Sequence, residues 1–127
     1  MKKTIINTVS APAPIGPYSQ AVKAGKFLFI SGQIALNPVT NQLVTNNITE
    51  ETTQVMQNIG AILGASEMNF GHIVKTTIFL KSMDNFAAVN EVYGSFFLSN
   101  FPARETVEVS KLPKDVNVEI SVVAAEL

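Results

Sequence analysis

Three polar residues lie where the surrounding sequence favours apolar side chains, and each could take part in chemistry. Asn90 falls in the apolar stripe of a predicted helix, and Arg104 begins a predicted strand. Glu119 lies within the apolar run 118–125, where burial raises the pKa of a carboxyl and a nearby cation lowers it. Such a glutamate can take a proton from water, and the arginine fork can hold a carboxylate or a phosphate.

Each of these residues also has a purely structural interpretation when it is taken alone. Asn90 can tie a neighbouring loop to its helix, and Arg104 can pair with Glu105 or Glu108 at the surface. Glu119 can lie on the wetter face of an edge strand. An unsatisfied buried amide costs about 1–3 kcal/mol, so Asn90 needs a partner under either interpretation.

The residue types that are missing exclude several kinds of catalytic site. The chain has no cysteine and a single histidine, His72, which is more simply a surface loop residue than a general base. Zinc sites need several His or Cys ligands, and neither glycine-rich phosphate-binding pattern occurs, so we expect no metal or cofactor. A lone arginine and glutamate suit a small anionic substrate with an activated electrophilic carbon that water attacks.

Composition and charge exclude several other classes of protein. Nine basic and ten acidic residues give a net charge of −1, and the lysines are scattered, which argues against nucleic-acid binding. No apolar run approaches the roughly 20 residues of a membrane-spanning helix, and no signal-peptide apolar segment follows Met1. We therefore expect a cytoplasmic protein without membrane contact, and the length predicts one domain over residues 1–127.

The spacing of apolar residues predicts an α+β protein with two helices between strands. Asn47 caps the first helix, whose apolar stripe is 55–63, and Asp84 caps the second, whose stripe is 86–97. The predicted strands are 3–9, 19–22, 27–36, 73–81, 104–110 and 116–124. The connections favour parallel pairing across each helix and an antiparallel opening hairpin, hence a mixed sheet with both helices packed on one face.

A sheet that is covered on one side leaves its other face to be explained. Segments 27–30 and 78–80 are apolar on both faces of their predicted strands. Charged residues make up only 15% of the chain, against roughly 25% in an average soluble domain. We therefore expect the uncovered faces of several copies to pack together.

Several sequence blocks resemble those of a known family, in the same order along the chain. They are APIGPYSQA (13–21), ISGQ (30–33), VKTT (74–77), FPAR (101–104), VEV (107–109), LPKD (112–115) and VEI (118–120). The likeness covers essentially the whole chain, and its C-terminal blocks are specific. The sequence resembles the Rid family of reactive intermediate (enamine/imine) deaminases, and most closely its RidA-type branch.

The resemblance implies a chorismate-mutase-like α+β fold assembled as a homotrimer, with a central β-barrel-like core and sites in clefts between subunits. It implies that Arg104 binds the substrate carboxylate and that Glu119 positions and deprotonates the attacking water. The other implied binding positions are Tyr18, Ser31, the Gly32 backbone, Asn90 and Thr106. The implied reaction is cofactor-free hydrolysis of 2-iminobutanoate or 2-iminopropanoate to the 2-oxo acid and ammonia, which protects pyridoxal-phosphate enzymes.

The chain departs from the family pattern directly after the arginine. RidA-type members usually carry a small residue and then a cysteine there, whereas this chain has Glu105 and Thr106. Strand alternation puts Thr106 on the face of Arg104 and Glu105 on the other face, unless a bulge lets Glu105 pair with Arg104. A non-catalytic module that binds small carboxylates, or acts as a chaperone or regulator, is therefore the alternative. RNA cleavage, attached to some relatives, is disfavoured by the charge and the single histidine.

Overall fold

The computed structural model describes residues 2–127, and Met1 lies outside the described residues. The strands are β1 (Lys3–Ile6), β2 (Ala21–Ala24), β3 (Phe27–Gln33), β4 (Ile73–Leu80), β5 (Ala103–Glu108) and β6 (Val118–Ala125). The helices are α1 (Ile48–Ala65) and α2 (Phe86–Gly94), and short 3-10 turns lie at 70–72, 83–85 and 113–115. The order of strands and helices along the chain is the predicted one, and their ends differ from the prediction by a few residues.

The six strands of the described chain form one mixed sheet in the order β1-β2-β3-β6-β4-β5. β6 lies between β3 and β4 and is antiparallel to both. The parallel pairing predicted across α1 therefore does not form, whereas β4 and β5 pair in parallel across α2 as expected. Glu119 is consequently carried by a central strand, and its interpretation as an edge-strand residue is wrong.

Helix α1 begins and packs as its sequence predicts. The Asn47 side chain accepts a hydrogen bond of 2.8 Å from the Glu50 backbone N–H, which is the predicted cap. The apolar side chains at 55, 56, 59, 62 and 63 are fully buried in the core. Glu51 and Asn58 are also buried on α1, and both bond to segments that lead into or out of the sheet. In the described part of the chain, no helix combines the length and apolar character needed to cross a bilayer.

Helix α2 is shorter than predicted, and this changes the environment of Asn90. The helix ends at Gly94, so Phe96 and Phe97 follow it instead of belonging to it. Asp84 lies in the turn before the helix and does not cap it. Asn90 is exposed on α2, so the prediction that it falls in a buried stripe is wrong.

One face of the sheet packs against both helices, and the other face is open in the single chain. Leu28, Ile78 and Ile120 belong to the covered face and lie in the same core as the apolar residues of α1 and α2. On the open face, Phe27 and Phe29 are 49% and 47% exposed. This is the uncovered apolar surface that the sequence predicts, and its burial against other copies stays a prediction.

Candidate functional site

Arg104 is held at the edge of the sheet by side chains of α2. Its Nη1 donates a hydrogen bond of 2.6 Å to Asn90 Oδ1. The guanidinium carbon lies 5.2 Å from the centroid of the Tyr93 ring and 5.7 Å from that of Phe86, so the ring faces attract the cation. The structure therefore brings the two predicted residues together, and Asn90 orients the guanidinium.

No carboxylate neutralises Arg104 among the residues that the structure describes. Glu105 pairs with Lys75 at 3.0 Å and accepts a hydrogen bond from Thr77, and these contacts, the Thr77 bond first, lower the pKa of Glu105. Glu108 accepts a hydrogen bond from a backbone N–H in the turn before α2. The surface ion pair considered for Arg104 is therefore wrong, and the predicted alternation of β5 is confirmed without a bulge.

A cavity of about 500 Å³ opens beside Arg104. Its lining residues are Asn90, Tyr93, Gly94, Phe101, Pro102 and Arg104. The Tyr93 hydroxyl donates a hydrogen bond of 2.9 Å to Thr76 Oγ1, and burial raises the pKa of Tyr93. Tyr93 was not among the predicted site residues, although its position one turn after Asn90 on the same helix could have indicated it.

Glu119 belongs to a second group of predicted residues, around an irregularity in β3 between Ile30 and Gln33. The carboxyl is half-buried, and burial raises the pKa of Glu119. Gly32 lies so close that a Cβ atom built on it would be 2.8 Å from Glu119 Cδ. The Ser31 hydroxyl donates a hydrogen bond of 2.6 Å to the backbone carbonyl of residue 19, which fixes the strand at this point. A side chain at residue 32 would therefore force the Glu119 carboxyl out of its present position.

A second cavity, of about 340 Å³, lies over Glu119. Its lining residues are Ile15, Tyr18, Ser31, Gly32, Ile34, Pro113 and Glu119. The Tyr18 hydroxyl accepts a hydrogen bond of 3.2 Å from the Ile15 backbone N–H. The structure thus brings four predicted residues together and adds three apolar ones. Ile15 and Pro113 were missed, although both lie in the sequence blocks that resemble the family.

Within one chain, Arg104 and Glu119 lie on opposite faces of the sheet. Arg104 is aligned with Thr76 of β4, whose side chain is buried beneath Tyr93 of α2. Glu119 is aligned with Phe79, three positions further along β4, and side chains three positions apart on a strand point to opposite faces. A single chain therefore does not bring the guanidinium and the carboxyl to one cavity.

Thr106 and His72 have environments that limit what their side chains can do. Thr106 shares the face of Arg104, as predicted, but its Oγ1 is buried without a hydrogen-bond partner in the described chain. His72 Nδ1 accepts a hydrogen bond of 3.0 Å from the Asn69 backbone N–H in the turn before β4. This bond favours the structural interpretation of His72.

We expect Glu119→Gln to stabilise the folded chain at neutral pH and to leave its stability unchanged in acid. Burial raises the pKa of Glu119 above 4.5, so the folded state binds this proton more readily than the unfolded state. The wild type therefore loses stability as the pH rises from the unfolded pKa through the raised folded pKa. Because the carboxyl is half-exposed, the gain in melting temperature should be a few degrees at most. Thermal unfolding followed by circular dichroism, at neutral pH and in acid, measures the change in melting temperature. A gain in melting temperature that occurs only in acid would contradict the expectation.

Comparison with known proteins identifies the family. The family model described as Endoribonuclease L-PSP matches residues 8–126. The human 2-iminobutanoate/2-iminopropanoate deaminase is 44% identical over 124 residues, which are 98% of this chain and 90% of the human protein.

Solved structures give the same result. The Rid-family protein YyfA of Yersinia pestis is 48% identical with a TM-score of 0.96, over 98% of this chain and 100% of that chain. TdcF of E. coli, solved with bound serine, is 38% identical with a TM-score of 0.94, over 98% of this chain and 99% of that chain. These structures share the mixed α+β sheet with two helices described above. Because the family model and the relatives span nearly the whole sequence, this chain belongs to the Rid family.

Proposed function

We propose that this chain hydrolyses the imines 2-iminobutanoate and 2-iminopropanoate to the corresponding 2-oxo acids and ammonia, without a cofactor and in the cytoplasm. The observation that carries the proposal is Glu119, a half-buried carboxyl of raised pKa in the wall of a largely apolar cavity. Arg104 supports it, because its charge is oriented by Asn90 and left open to an anionic ligand in the described chain. The name of the human relative and the serine in TdcF are consistent with a small carboxylate substrate.

The proposed site lies between two chains of a homotrimer. Arg104 and Glu119 lie on opposite faces of one sheet, so one chain would supply the guanidinium and its neighbour the carboxyl. The exposed Phe27 and Phe29 give the open faces an apolar surface with which three sheets could form a barrel-like core. Each trimer would then contain its sites in the clefts between neighbouring chains.

In the proposed reaction, Arg104 binds the carboxylate of the protonated imine and orients its C=N bond toward the water. Glu119 accepts a proton from that water as the oxygen bonds to the imine carbon, which gives a carbinolamine with an uncharged amino group. The Glu119 acid then returns the proton to nitrogen, the C–N bond breaks, and ammonia leaves. As the C–N bond breaks and the C=O bond forms, the hydroxyl proton passes to Glu119 and from there to the departing ammonia. One zwitterionic iminium carboxylate and one water thus give one 2-oxo acid anion and one ammonium.

The other predicted positions contribute contacts around the reacting carbon. Tyr18, Ser31 and the Gly32 backbone belong to the Glu119 cavity, and Asn90 to the Arg104 cavity. Thr106 would bind substrate through its backbone, because its Oγ1 is buried within the chain. This assignment makes the change from cysteine to threonine at this position compatible with activity.

The non-catalytic alternative depended on Glu105 blocking Arg104. Glu105 is bonded to Lys75 and Thr77 on the opposite face, so the feature that favoured a pure binding module is removed. RNA cleavage, which the name of the family model suggests, gains no support either. The net charge is −1, and the one histidine, His72, is bonded to a backbone N–H.

The test is a coupled assay in which purified protein is added to a threonine dehydratase reaction. Acceleration of 2-oxobutanoate release is the expected result, and a panel of amino-acid substrates would rank the imines. A dehydratase that loses activity during turnover should also last longer in the presence of the protein. Absence of acceleration with every imine, together with calorimetric binding of a 2-oxo acid, would replace the proposal with the binding module.

We expect Gly32→Ala to reduce imine hydrolysis about tenfold or more, because the new methyl group would displace the Glu119 carboxyl. The overlap involves the end of a flexible side chain, so the melting temperature should fall only slightly. Gly64→Ala is the matched control, since a Cβ there meets no described atom within 4 Å. Steady-state kinetics of both variants measure the effect, and wild-type rates for Gly32→Ala would contradict the expected role of Glu119.

A further inference from the structure

Glu51 is a buried carboxylate that the proposed reaction does not use. It lies in the first turn of α1 and is 0% exposed. A buried carboxylate is costly unless hydrogen bonds replace its hydration. Its oxygens accept three such bonds, from the Asn117 backbone N–H at 2.8 Å, from Asn117 Nδ2 at 2.8 Å and from the Val118 backbone N–H at 3.3 Å.

These three bonds hold the two residues that directly precede Glu119. The loop before them includes Lys114 and Asp115 at φ values of 54° and 57°, a left-handed conformation that is unfavourable for residues other than glycine. Asp115 pairs with Lys81 at 2.9 Å and Val116 is buried, but neither contact binds the backbone N–H groups at the start of β6. The carboxylate of Glu51 does so from α1, and on the other side the Lys81 backbone N–H bonds to the Asn117 carbonyl at 3.0 Å.

The anchor and the candidate base lie on opposite sides of the same strand. Val118 points into the core beneath α1, and Glu119 points to the open face. A hydrogen bond to the Val118 N–H therefore constrains the backbone from which the Glu119 side chain projects, without touching the cavity in front of it. A buried apolar residue could fill the same space under β6, but it could not bind two backbone N–H groups at once.

We propose that Glu51 is a positioning residue for Glu119, acting through the backbone at Asn117 and Val118. The proposal rests on the function proposed for Glu119 above. Catalytic groups lose much of their effect when they move by an ångström, and the side chains that hold them in place are part of the site's design. Helix α1, which lines neither cavity of the described chain, would thus set the geometry of the reaction.

The experiment compares Glu51→Gln with Thr52→Val. Glutamine keeps the size of the side chain but removes the negative charge and one of the two acceptor oxygens that bind Asn117 and Val118. Thr52 is equally buried on α1, and its hydroxyl bonds only to the Ile48 carbonyl within the helix, so Thr52→Val controls for a general loss of core polarity. For Glu51→Gln we expect kcat to fall about 10- to 100-fold with KM changed by less than about twofold. Thr52→Val should keep both constants.

A second readout does not depend on turnover. The pKa of the Glu119 carboxyl, measured by carbon NMR titration, should move toward 4.5 in Glu51→Gln, because a loosened strand admits more water. If wild-type protein hydrolyses no imine, the proposed function fails while this titration still decides the role of Glu51. An unchanged Glu119 pKa, or an equal loss of kcat in Thr52→Val, would overturn the positioning role.

Asn117→Ala covers the case in which Glu51→Gln does not fold. It removes the side-chain donor that holds Glu51 Oε1, so the carboxylate can turn and its two backbone bonds should weaken. The expected effect has the same direction and is smaller, a few-fold in kcat with a smaller shift of the Glu119 pKa. Wild-type values for both quantities in Asn117→Ala would then overturn the proposal.

Discussion

Arg104→Ala is expected to lower kcat/KM for imine hydrolysis about a thousandfold, because two charged hydrogen bonds to the substrate carboxylate are lost. Folding should be retained, since Arg104 lies at the edge of the sheet and its partner Asn90 is exposed to water. Arg104→Lys keeps the charge but loses the fork of donors, so an intermediate rate is expected. Coupled dehydratase kinetics measure all three proteins.

Lys23→Ala is the matched control for the loss of one positive charge. Lys23 pairs with Glu126 and lines neither cavity in the described chain. Lys23→Ala should therefore keep the wild-type kcat/KM. The thermal unfolding of Arg104→Ala should resemble that of the wild type, which would show that its loss of activity is not a loss of folding. If Arg104→Ala retains wild-type kcat/KM, carboxylate binding at this position is excluded.

Mixing two inactive variants should restore activity if the site is shared between chains. Glu119→Gln alone is expected to lose about 100- to 10,000-fold in kcat, because water then lacks its proton acceptor. When equal amounts of Arg104→Ala and Glu119→Gln are unfolded and refolded together, half of the chains supply an intact guanidinium and half an intact carboxyl. Independent pairing at each cleft therefore gives about one quarter of the wild-type activity.

The same two variants refolded separately, then combined and assayed before subunits can exchange, provide the control. Sedimentation of the refolded mixture should show one species of the mass of the wild-type assembly. A refolded mixture that stays as inactive as its components, although it forms that species, would mean that the two groups do not act across an interface.

The sequence predicted those parts of the fold that depend on local spacing. The apolar stripe of α1 and its Asn47 cap are both present, because helix periodicity and capping are properties of neighbouring residues. The same holds for β5, where strict alternation separates Glu105 from Arg104. The end of α2 was predicted wrongly, since the apolar residues after Gly94 continue the helical spacing although the chain has left the helix.

What could not be predicted depends on pairing over long distances in the sequence. The insertion of β6 between β3 and β4 follows from contacts of residues far apart in the chain. Alternation tells which residues of one strand share a face, but the relation between Arg104 and Glu119 needs the register of both strands on β4. The candidate residues could therefore be named from the sequence. Their separation into one group around Arg104 and another around Glu119 could not be predicted from it.

The division of the polar groups between two faces of the sheet has a consequence for how activity responds to dilution. If each catalytic centre takes its guanidinium and its carboxyl from different molecules, an isolated monomer contains no centre with both groups and should be inactive. Specific activity should then decrease on dilution, once the assembly begins to dissociate. A chain that lacks one of the two groups should also inactivate a cleft that it shares with a wild-type chain. The activity per chain of such an enzyme would thus depend on its concentration as well as on its sequence.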